Sequence, residues 1–438
     1  MKKPLFYLKE LLATFWFLPV LIMCFSVFLA IGLVYLDRMV TISYDGWLRF
    51  FLVYHSDSAR SILSTISGAM IGVAGTVFSV TLVALTLASS QFGPRLIKNF
   101  MYVKLNQVVL GSYISTYLYC LLVLNAVKDS DDYSFIPSIS IFAAILAAVA
   151  NIILLIVFIH QIAISIQADK VISEISDFIS EQVNTLFPEN MGEEKEGEDI
   201  DTLVAISAYK IRTSIKSPKS GYFQYIDSNT LMEVVAEQKA LLELNYRPGS
   251  YLVKGLEIAI FYTNKKLEEE VVEKLLGQFV IGKTKTAQQD LEYSIHQMVE
   301  IAARALSPGV NDPFTAIACI DNLTTTMCYL AQAKFPSKYR FDEEGSLRII
   351  ADILDFEGVL DAAFNQIRQF STGSTAVIIR LMEALKTILE FTSKKNYKNA
   401  VIKHAEMVLA LGEREIKEKN DLDDLRKRAE KILKKKEA

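Results

Sequence analysis

The run of residues 66–88 constrains the fold most, because it contains only Ser, Thr, Gly and apolar residues. At 1.5 Å per residue, a helix over this run has about the length of a hydrocarbon core, so it predicts a transmembrane helix. Small or hydroxylated residues recur along the run every three or four positions: Gly68, Gly72, Gly75, Ser79, Val83, Thr86 and Ser90. This spacing places them on one face of the helix.

Two interpretations of this face stay open. Lipid supplies no hydrophobic drive between helices, so a small-residue face is typical of close helix packing, and Gly68 with Gly72 forms a GxxxG pair. Alternatively, several copies of the chain converge, and the face lines a pore in which its hydroxyl groups meet water or an ion. Phe78 and Leu82, displaced around the helix, would then form a hydrophobic constriction.

Three further apolar runs, residues 11–36, 108–127 and 136–166, bring the predicted number of membrane spans to four. Basic residues cluster before the first span and between the second and third: Lys2, Lys3, Lys9, Arg95, Lys98 and Lys104. The loop between the last two spans instead holds Asp129, Asp131 and Asp132. The positive-inside rule therefore predicts that both termini are cytoplasmic.

Two polar residues lie within the fourth predicted span. Asn151 falls near mid-depth among alanines, and His160 falls near the inner end. An amide in hydrocarbon needs a hydrogen-bond partner, so the favoured interpretation of Asn151 is a bond to another helix.

The second part of the chain predicts a cytosolic domain. The 438 residues are 51% hydrophobic, and acidic residues outnumber basic ones beyond the membrane spans. We divide the chain into a four-span bundle (1–169), a helix with an acidic linker (170–201), a small α+β piece (202–285) and a helical domain (286–438). The fold class is thus an α-helical integral membrane protein followed by a mixed, mainly helical cytosolic domain. An acidic domain argues against a nucleic-acid partner.

The α+β piece predicts short strands around a Pro-Gly turn at residues 247–249. This pattern resembles the small barrel of lipoyl-like domains, but no lysine occupies an evident hairpin tip for a covalent cofactor. We therefore expect a structural, β-barrel-like piece. Beyond residue 286 the helical period returns, with helices expected at 287–306, 313–331, 345–370, 374–392 and 396–435, the last of them broken.

The link between the first two of these helices is rich in helix-capping residues. Pro313 suits the first helical position, Asp312 suits the cap, and Gly309 suits the end of the preceding helix. Capping does not account for Asn311. Together with Arg304 and Asp312, Asn311 is therefore also a candidate for binding a ligand or for a contact between subunits.

Sequence motifs for catalysis and metal binding are absent. The chain has no P-loop, HExxH or GxSxG motif, and its four cysteines and four histidines are scattered without CxxC spacing. We therefore expect neither an enzyme nor a resident cofactor or metal.

Four strings give the chain a resemblance to a known family: GTVFS at 75–79, SSQFGPR at 89–95, RPG at 247–249 and ALSPGVNDP at 305–313. They resemble the predicted bacterial membrane proteins of domain of unknown function 2254, over nearly the whole chain. The resemblance implies a multi-pass protein of the bacterial inner membrane with a cytosolic domain. It implies no catalytic or binding role for any residue.

The function therefore has to be inferred from physical arguments. The best hypothesis is a homo-oligomeric channel or pore for an ion or small solute, with the cytosolic domain as a regulatory vestibule. The alternative is a membrane-anchored sensor or scaffold whose cytosolic domain binds a ligand or partner. A pore made of four-span subunits requires a ring of copies, so the oligomeric state distinguishes the two hypotheses.

Overall fold

The computed structural model describes residues 11–12, 14–40, 53, 55–93, 104–130, 133–165, 167–183, 191–193, 200–287 and 289–436. The chain forms two compact units, Met1–Lys170 and Val171–Ala438. Several residues used in the topology prediction, and most of the acidic linker, lie outside the described residues: Lys2, Lys3, Lys9, Arg95, Lys98, Asp131 and Asp132.

Among the described residues of the first unit, four helices are long and apolar enough to cross a membrane. They are α1 (Phe17–Met39), α2 (Ser56–Phe92), α3 (Lys104–Ala126) and α4 (Ser138–Ser165). An antiparallel hairpin of β1 (Lys128–Ser130) and β2 (Tyr133–Phe135) joins α3 to α4. The prediction of four such helices is confirmed.

Helix α2 is longer than the predicted run of residues 66–88. It has 37 residues, which correspond to roughly 55 Å of helix against a hydrocarbon core of about 30 Å. The extension at its start, residues 56–65, is about three turns long. It carries Asp57 and Arg60 and therefore was not part of the apolar run. The helix can thus project beyond the bilayer core.

Helix α3 is the centre of the first unit, since it packs against α1, α2 and α4. One buried cluster contains Leu63 of α2 and Val123 of α3. A second contains Met70 of α2, Tyr113 of α3 and Phe158 of α4. The interior of the bundle is thus packed by large apolar side chains at two levels.

The described part of the second unit contains two sheets. Its strands are β3 (Ile211–Lys216), β4 (Gly221–Ile226), β5 (Leu241–Leu244), β6 (Tyr251–Leu252), β7 (Glu257–Thr263), β8 (Phe279–Gly282), β9 (Tyr339–Phe341) and β10 (Leu347–Ile350). The larger sheet has the order β3-β7-β5-β10-β9, with only β5 and β10 parallel, and the smaller has the order β6-β4-β8. The described strands form no closed barrel, so the predicted barrel-like piece is not confirmed.

Strands β9 and β10 come from a part of the chain that the sequence predicts to be helical. The helix expected at 345–370 begins only at Phe356, and Leu347–Ile350 is a strand between β5 and β9. A short run of Leu and Ile fits a buried strand or a buried helix equally well by its period. The sheet therefore takes strands from both predicted cytosolic pieces.

Helices make up the rest of the second unit. They are α5 (Ala168–Val183), α6 (Thr202–Ser207), α7 (Ser228–Glu237), α8 (Glu269–Gly277), α9 (Leu291–Ala305), α10 (Pro313–Gln332), α11 (Phe356–Phe370), α12 (Thr375–Glu390), α13 (Lys395–Glu415) and α14 (Lys419–Leu433). One core lies among the strands, α7 and α8. Helices α9 to α14 form a packed bundle in which α12 contacts α10, α13 and α14.

Candidate functional site

The small-residue face of α2 points away from the rest of the first unit. Each of its seven residues is exposed: Gly68, Gly72, Gly75, Ser79, Val83, Thr86 and Ser90. The buried face of the helix instead carries Met70, Ala74 and Val77. At 3.6 residues per turn, the two faces lie on opposite sides of the helix. Packing within the described part of the chain therefore does not use the small face.

The glycines on this face are not required by any neighbour in the described chain. A Cβ atom at Gly68, Gly72 or Gly75 would have no heavy atom within 4 Å of it. Small residues in membrane helices normally allow two backbones to approach closely. If the glycines of α2 serve that purpose, the approaching helix comes from outside the described residues.

The hydroxyl groups of the same face are bonded within the helix. Ser79 donates to the carbonyl of Gly75 at 2.9 Å, and Thr86 donates to the carbonyl of Leu82 at 2.9 Å. Each hydroxyl group thus donates its hydrogen bond within the helix, and its oxygen lone pairs can still accept a hydrogen bond from another group. Such a face tolerates lipid, and it can also accept a hydrogen bond from water or coordinate a cation.

A ridge of large apolar side chains flanks the small face. Phe78 is 46% exposed, Leu82 is 48% exposed, and Ile71 is exposed one turn or more before them. All three lie on the same side of the small face by the helical spacing. The two predicted constriction residues are thus adjacent to the predicted pore-lining residues and share their exposure.

Asn151 is fully buried in the bundle and bonds to helix α3. Its amide nitrogen donates to the Thr116 hydroxyl at 2.8 Å, and its amide oxygen accepts from the Ser112 hydroxyl at 2.6 Å. Tyr113 donates to the Asn151 carbonyl at 2.6 Å. These bonds fix α4 against α3. His160 is exposed farther along α4 and lies outside this group.

Asp37, at the end of α1, was not identified as important by the sequence analysis. Its carboxylate accepts the N–H groups of Ile139 at 2.9 Å and Ser140 at 3.0 Å, as well as the Ser140 hydroxyl at 2.6 Å. It therefore caps the start of α4 from another helix. The sequence shows an acidic residue at the end of an apolar run, but it does not indicate that this residue caps α4.

The link between α9 and α10 is a compact capped turn. Asp312 accepts the Thr315 N–H at 3.1 Å and its hydroxyl at 2.5 Å, and these bonds hold the pKa of Asp312 below its usual value. Pro313 is the first residue of α10. The prediction for Gly309 is wrong, since α9 ends at Ala305 and the residue with left-handed φ is Asn311 (φ 51°).

The left-handed backbone conformation explains the presence of Asn at position 311. Asn is among the few non-glycine residues that adopt this conformation readily. Arg304 lies in the last turn of α9, where the helix dipole favours a cation. A ligand or subunit role for Arg304, Asn311 and Asp312 stays a prediction.

The RPG turn packs against a buried carboxyl group. Gly249 has φ 100°, and a Cβ there would overlap Oδ2 of Asp290. Asp290 is 4% exposed and caps α9 by accepting the Tyr293 N–H at 2.9 Å. Its other oxygen accepts no hydrogen bond among the described residues and lies 3.8 Å from Lys285 Nζ. Burial raises the pKa of Asp290 to about 6.

Arg247 ties the same turn to two other elements. Its guanidinium lies 3.0 Å from the Glu292 carboxylate at the start of α9 and 3.4 Å from the Asp352 carboxylate after β10. The RPG string thus joins the smaller sheet, α9 and the larger sheet. This accounts for the motif by packing and requires no ligand.

A buried histidine in the helical part was also missed. His404 of α13 is 1% exposed, and its Nε2 lies 3.0 Å from an Asp361 carboxylate oxygen of α11. Burial lowers the pKa of His404. No group of three His, Cys, Asp or Glu side chains in the described residues is arranged to hold a metal ion.

Comparisons with known proteins agree with the resemblance found in the sequence. Residues 13–387 match the family described as predicted membrane protein (DUF2254). Two uncharacterized proteins, Rv1290c of Mycobacterium tuberculosis and Mb1321c of Mycobacterium bovis, are each 29% identical to the chain over 368 residues, or 83% of this chain and 70% of theirs. No solved structure is significantly similar to the chain. Because the family match covers most of its length, the chain belongs to the DUF2254 family of predicted membrane proteins.

Proposed function

We propose that the protein is a homo-oligomeric channel of the bacterial inner membrane, in which the α2 helices of several copies surround a pore. The observation that carries this proposal is the orientation of the small-residue face, which lies opposite the packed face of α2 and is exposed along its whole length. A ring of copies would bring these faces together around an axis.

The side chains on this face suit a narrow polar path. Glycines leave space, and the oxygens of Ser79 and Thr86 can accept from water or coordinate a cation. Phe78 and Leu82, on the flank of the face, would form a hydrophobic constriction that opens and closes by dewetting. The solute is an ion or another small polar molecule.

The proposed topology places both termini and the second unit in the cytoplasm, where the second unit forms a vestibule around the pore entrance. The proposal assigns the protein no enzymatic activity, cofactor or nucleic-acid partner. Its partners are the lipid bilayer and further copies of the chain.

Cysteine scanning of α2 tests the pore. In a protein freed of its four native cysteines, single cysteines from Val73 to Ser90 are reacted with a small aqueous thiol reagent in liposomes. We expect reactivity with a period near 3.6 residues. It should peak at the positions of Gly75, Ser79, Val83 and Thr86.

Flux measurement with matched variants completes the test. Ser79→Leu should reduce ion flux through reconstituted protein while the assembly keeps its mass. Val80→Leu, an exposed position on another side of α2, should leave flux unchanged. A monomeric protein that conducts nothing, with no reactive position in the span, would refute the channel. That result would favour the alternative of an anchored sensor or scaffold.

A further inference from the structure

Arg38 stands at the end of α1 with no carboxylate partner in the described part of the chain. The residue is exposed in the last turn of the helix, where the helix dipole favours a cation. Its guanidinium carbon lies 5.4 Å from the centre of the Phe135 ring in β2. A cation–π contact orients the group and leaves its N–H donors available to a ligand.

A second basic residue lies on the hairpin that carries this ring. Lys128 of β1 is directly opposite Phe135 in the antiparallel hairpin, and it is exposed. Directly opposed residues place their side chains on the same face of a hairpin, with Cβ atoms about 5 Å apart. The hairpin thus carries a second basic residue on the strand beside Phe135.

An apolar groove begins at Arg38 and runs between α1 and α3. Its volume is about 280 Å³, and its walls include Ala30, Ile31, Val34 and Leu122, with Ala126 opposite. The alanines leave space that a larger residue would fill. Tyr35 lines the same end as Arg38, and tyrosine is typical of the level of lipid headgroups.

We propose that this groove binds an anionic phospholipid, with its phosphate on Arg38 and one acyl chain along the apolar walls. An arginine fork matches two phosphate oxygens, and the Tyr35 hydroxyl can donate a further hydrogen bond. Lys128 offsets the charge of the neighbouring Asp129, so Arg38 supplies the preference for a headgroup of net negative charge. The groove would bind this lipid whether or not α2 lines a pore.

Native mass spectrometry of the intact protein tests the site. Purified protein is incubated in detergent with equal amounts of phosphatidylglycerol and phosphatidylcholine that carry the same acyl chains, and the retained lipids are counted. The wild type should retain phosphatidylglycerol preferentially. Arg38→Gln should reduce that preference about fivefold, which is the contribution of one basic residue near anionic lipid.

Two further variants make the result specific. Arg60→Gln removes an exposed arginine of α2 that does not line the groove, and it should retain the wild-type preference. Ala126→Phe fills the groove, and it should lose one retained lipid of either kind. Equal retention of both lipids by the wild type, equal effects of the two arginine variants, or full retention by Ala126→Phe would each overturn the proposal.

Discussion

At the scale of single residues, Asp290 is an acidic side chain whose charged form is disfavoured by burial. It is 4% exposed, and one oxygen accepts no hydrogen bond among the described residues. The pKa is raised to about 6 in the folded protein because burial disfavours the carboxylate, although the Tyr293 N–H and Lys285 oppose that shift. The folded state therefore binds the proton more tightly than the unfolded chain, whose pKa is about 4.

This difference gives the second unit a predicted pH dependence. A raised pKa for an acid means that stability is lost as pH rises from about 4 through 6 and stays low above that. From pH 8 to pH 5, Asp290 should therefore add about 1 kcal/mol to the free energy of opening of α9. Hydrogen exchange of the α9 amides in the full-length protein, corrected for intrinsic rates, measures this free energy.

Asp290→Asn is the matched variant for this measurement. The amide keeps an oxygen that can cap α9 and has no proton to lose in this range, so the part of the pH dependence due to Asp290 should disappear. At pH 8 the variant should also protect α9 more strongly than the wild type does. An identical pH dependence in both proteins would show that burial of the carboxyl group has no energetic consequence.

Some single-residue roles at the link between α9 and α10 can be predicted from the sequence, and others cannot. Asp312 and Pro313 were predicted as the cap and first residue of α10, because side-chain capping depends on local sequence. The prediction for Gly309 is wrong, and the positive φ of Asn311 is not predictable, since the sequence does not indicate which residue takes a positive φ when several can. Asp290 depends on a turn far away in sequence, and no local pattern indicates that contact.

At the scale of secondary-structure elements, the four apolar helices are predictable because each apolar run is too long to be a buried strand. Strands β9 and β10 were not predictable, since their pairing with β5 comes from a distant part of the chain. The exposed face of α2 illustrates a further limit. The sequence showed a small-residue face, but only the packing of α2 on α3 showed that it points outward.

Helices α1 and α3 approach closely at Gly111, and this approach gives a prediction for the bundle. A Cβ at Gly111 would lie 2.9 Å from Pro19 Cα and 3.0 Å from Ile22 Cδ1. The Pro19 backbone cannot move aside as a flexible side chain can. Gly111→Ala should therefore destabilise the protein by about 1–3 kcal/mol, the usual cost of overpacking. The measurement is the fraction left in the main size-exclusion peak after detergent samples are heated.

Gly32 of α1 supplies the control for this prediction. It is also a glycine in an apolar helix, but a Cβ there has no heavy atom within 4 Å in the described chain. Gly32→Ala should leave the melting midpoint unchanged or raise it slightly, because alanine is the better helix former. Equal losses in the two variants would mean that the close approach at Gly111 is not what limits stability.

At the scale of the whole molecule, the chain separates after Lys170 into a unit of apolar helices and a unit of two sheets and many helices. An even number of membrane crossings would place the N-terminus and the second unit on the same side of the membrane. By the positive-inside rule, the basic residues before the first span and before the third would select the cytoplasm for that side. The hairpin that joins α3 to α4 would lie on the opposite side.

Thiol labelling provides a direct test of this topology. In a protein without native cysteines, Ser134→Cys places a thiol on the hairpin, and Lys219→Cys places one on the second unit; both positions are exposed. A membrane-impermeant maleimide should label Ser134→Cys in intact spheroplasts. It should label Lys219→Cys only after the spheroplasts are permeabilised. The reverse pattern would place the second unit outside the cell, and a cytosolic vestibule at the pore entrance would then be impossible.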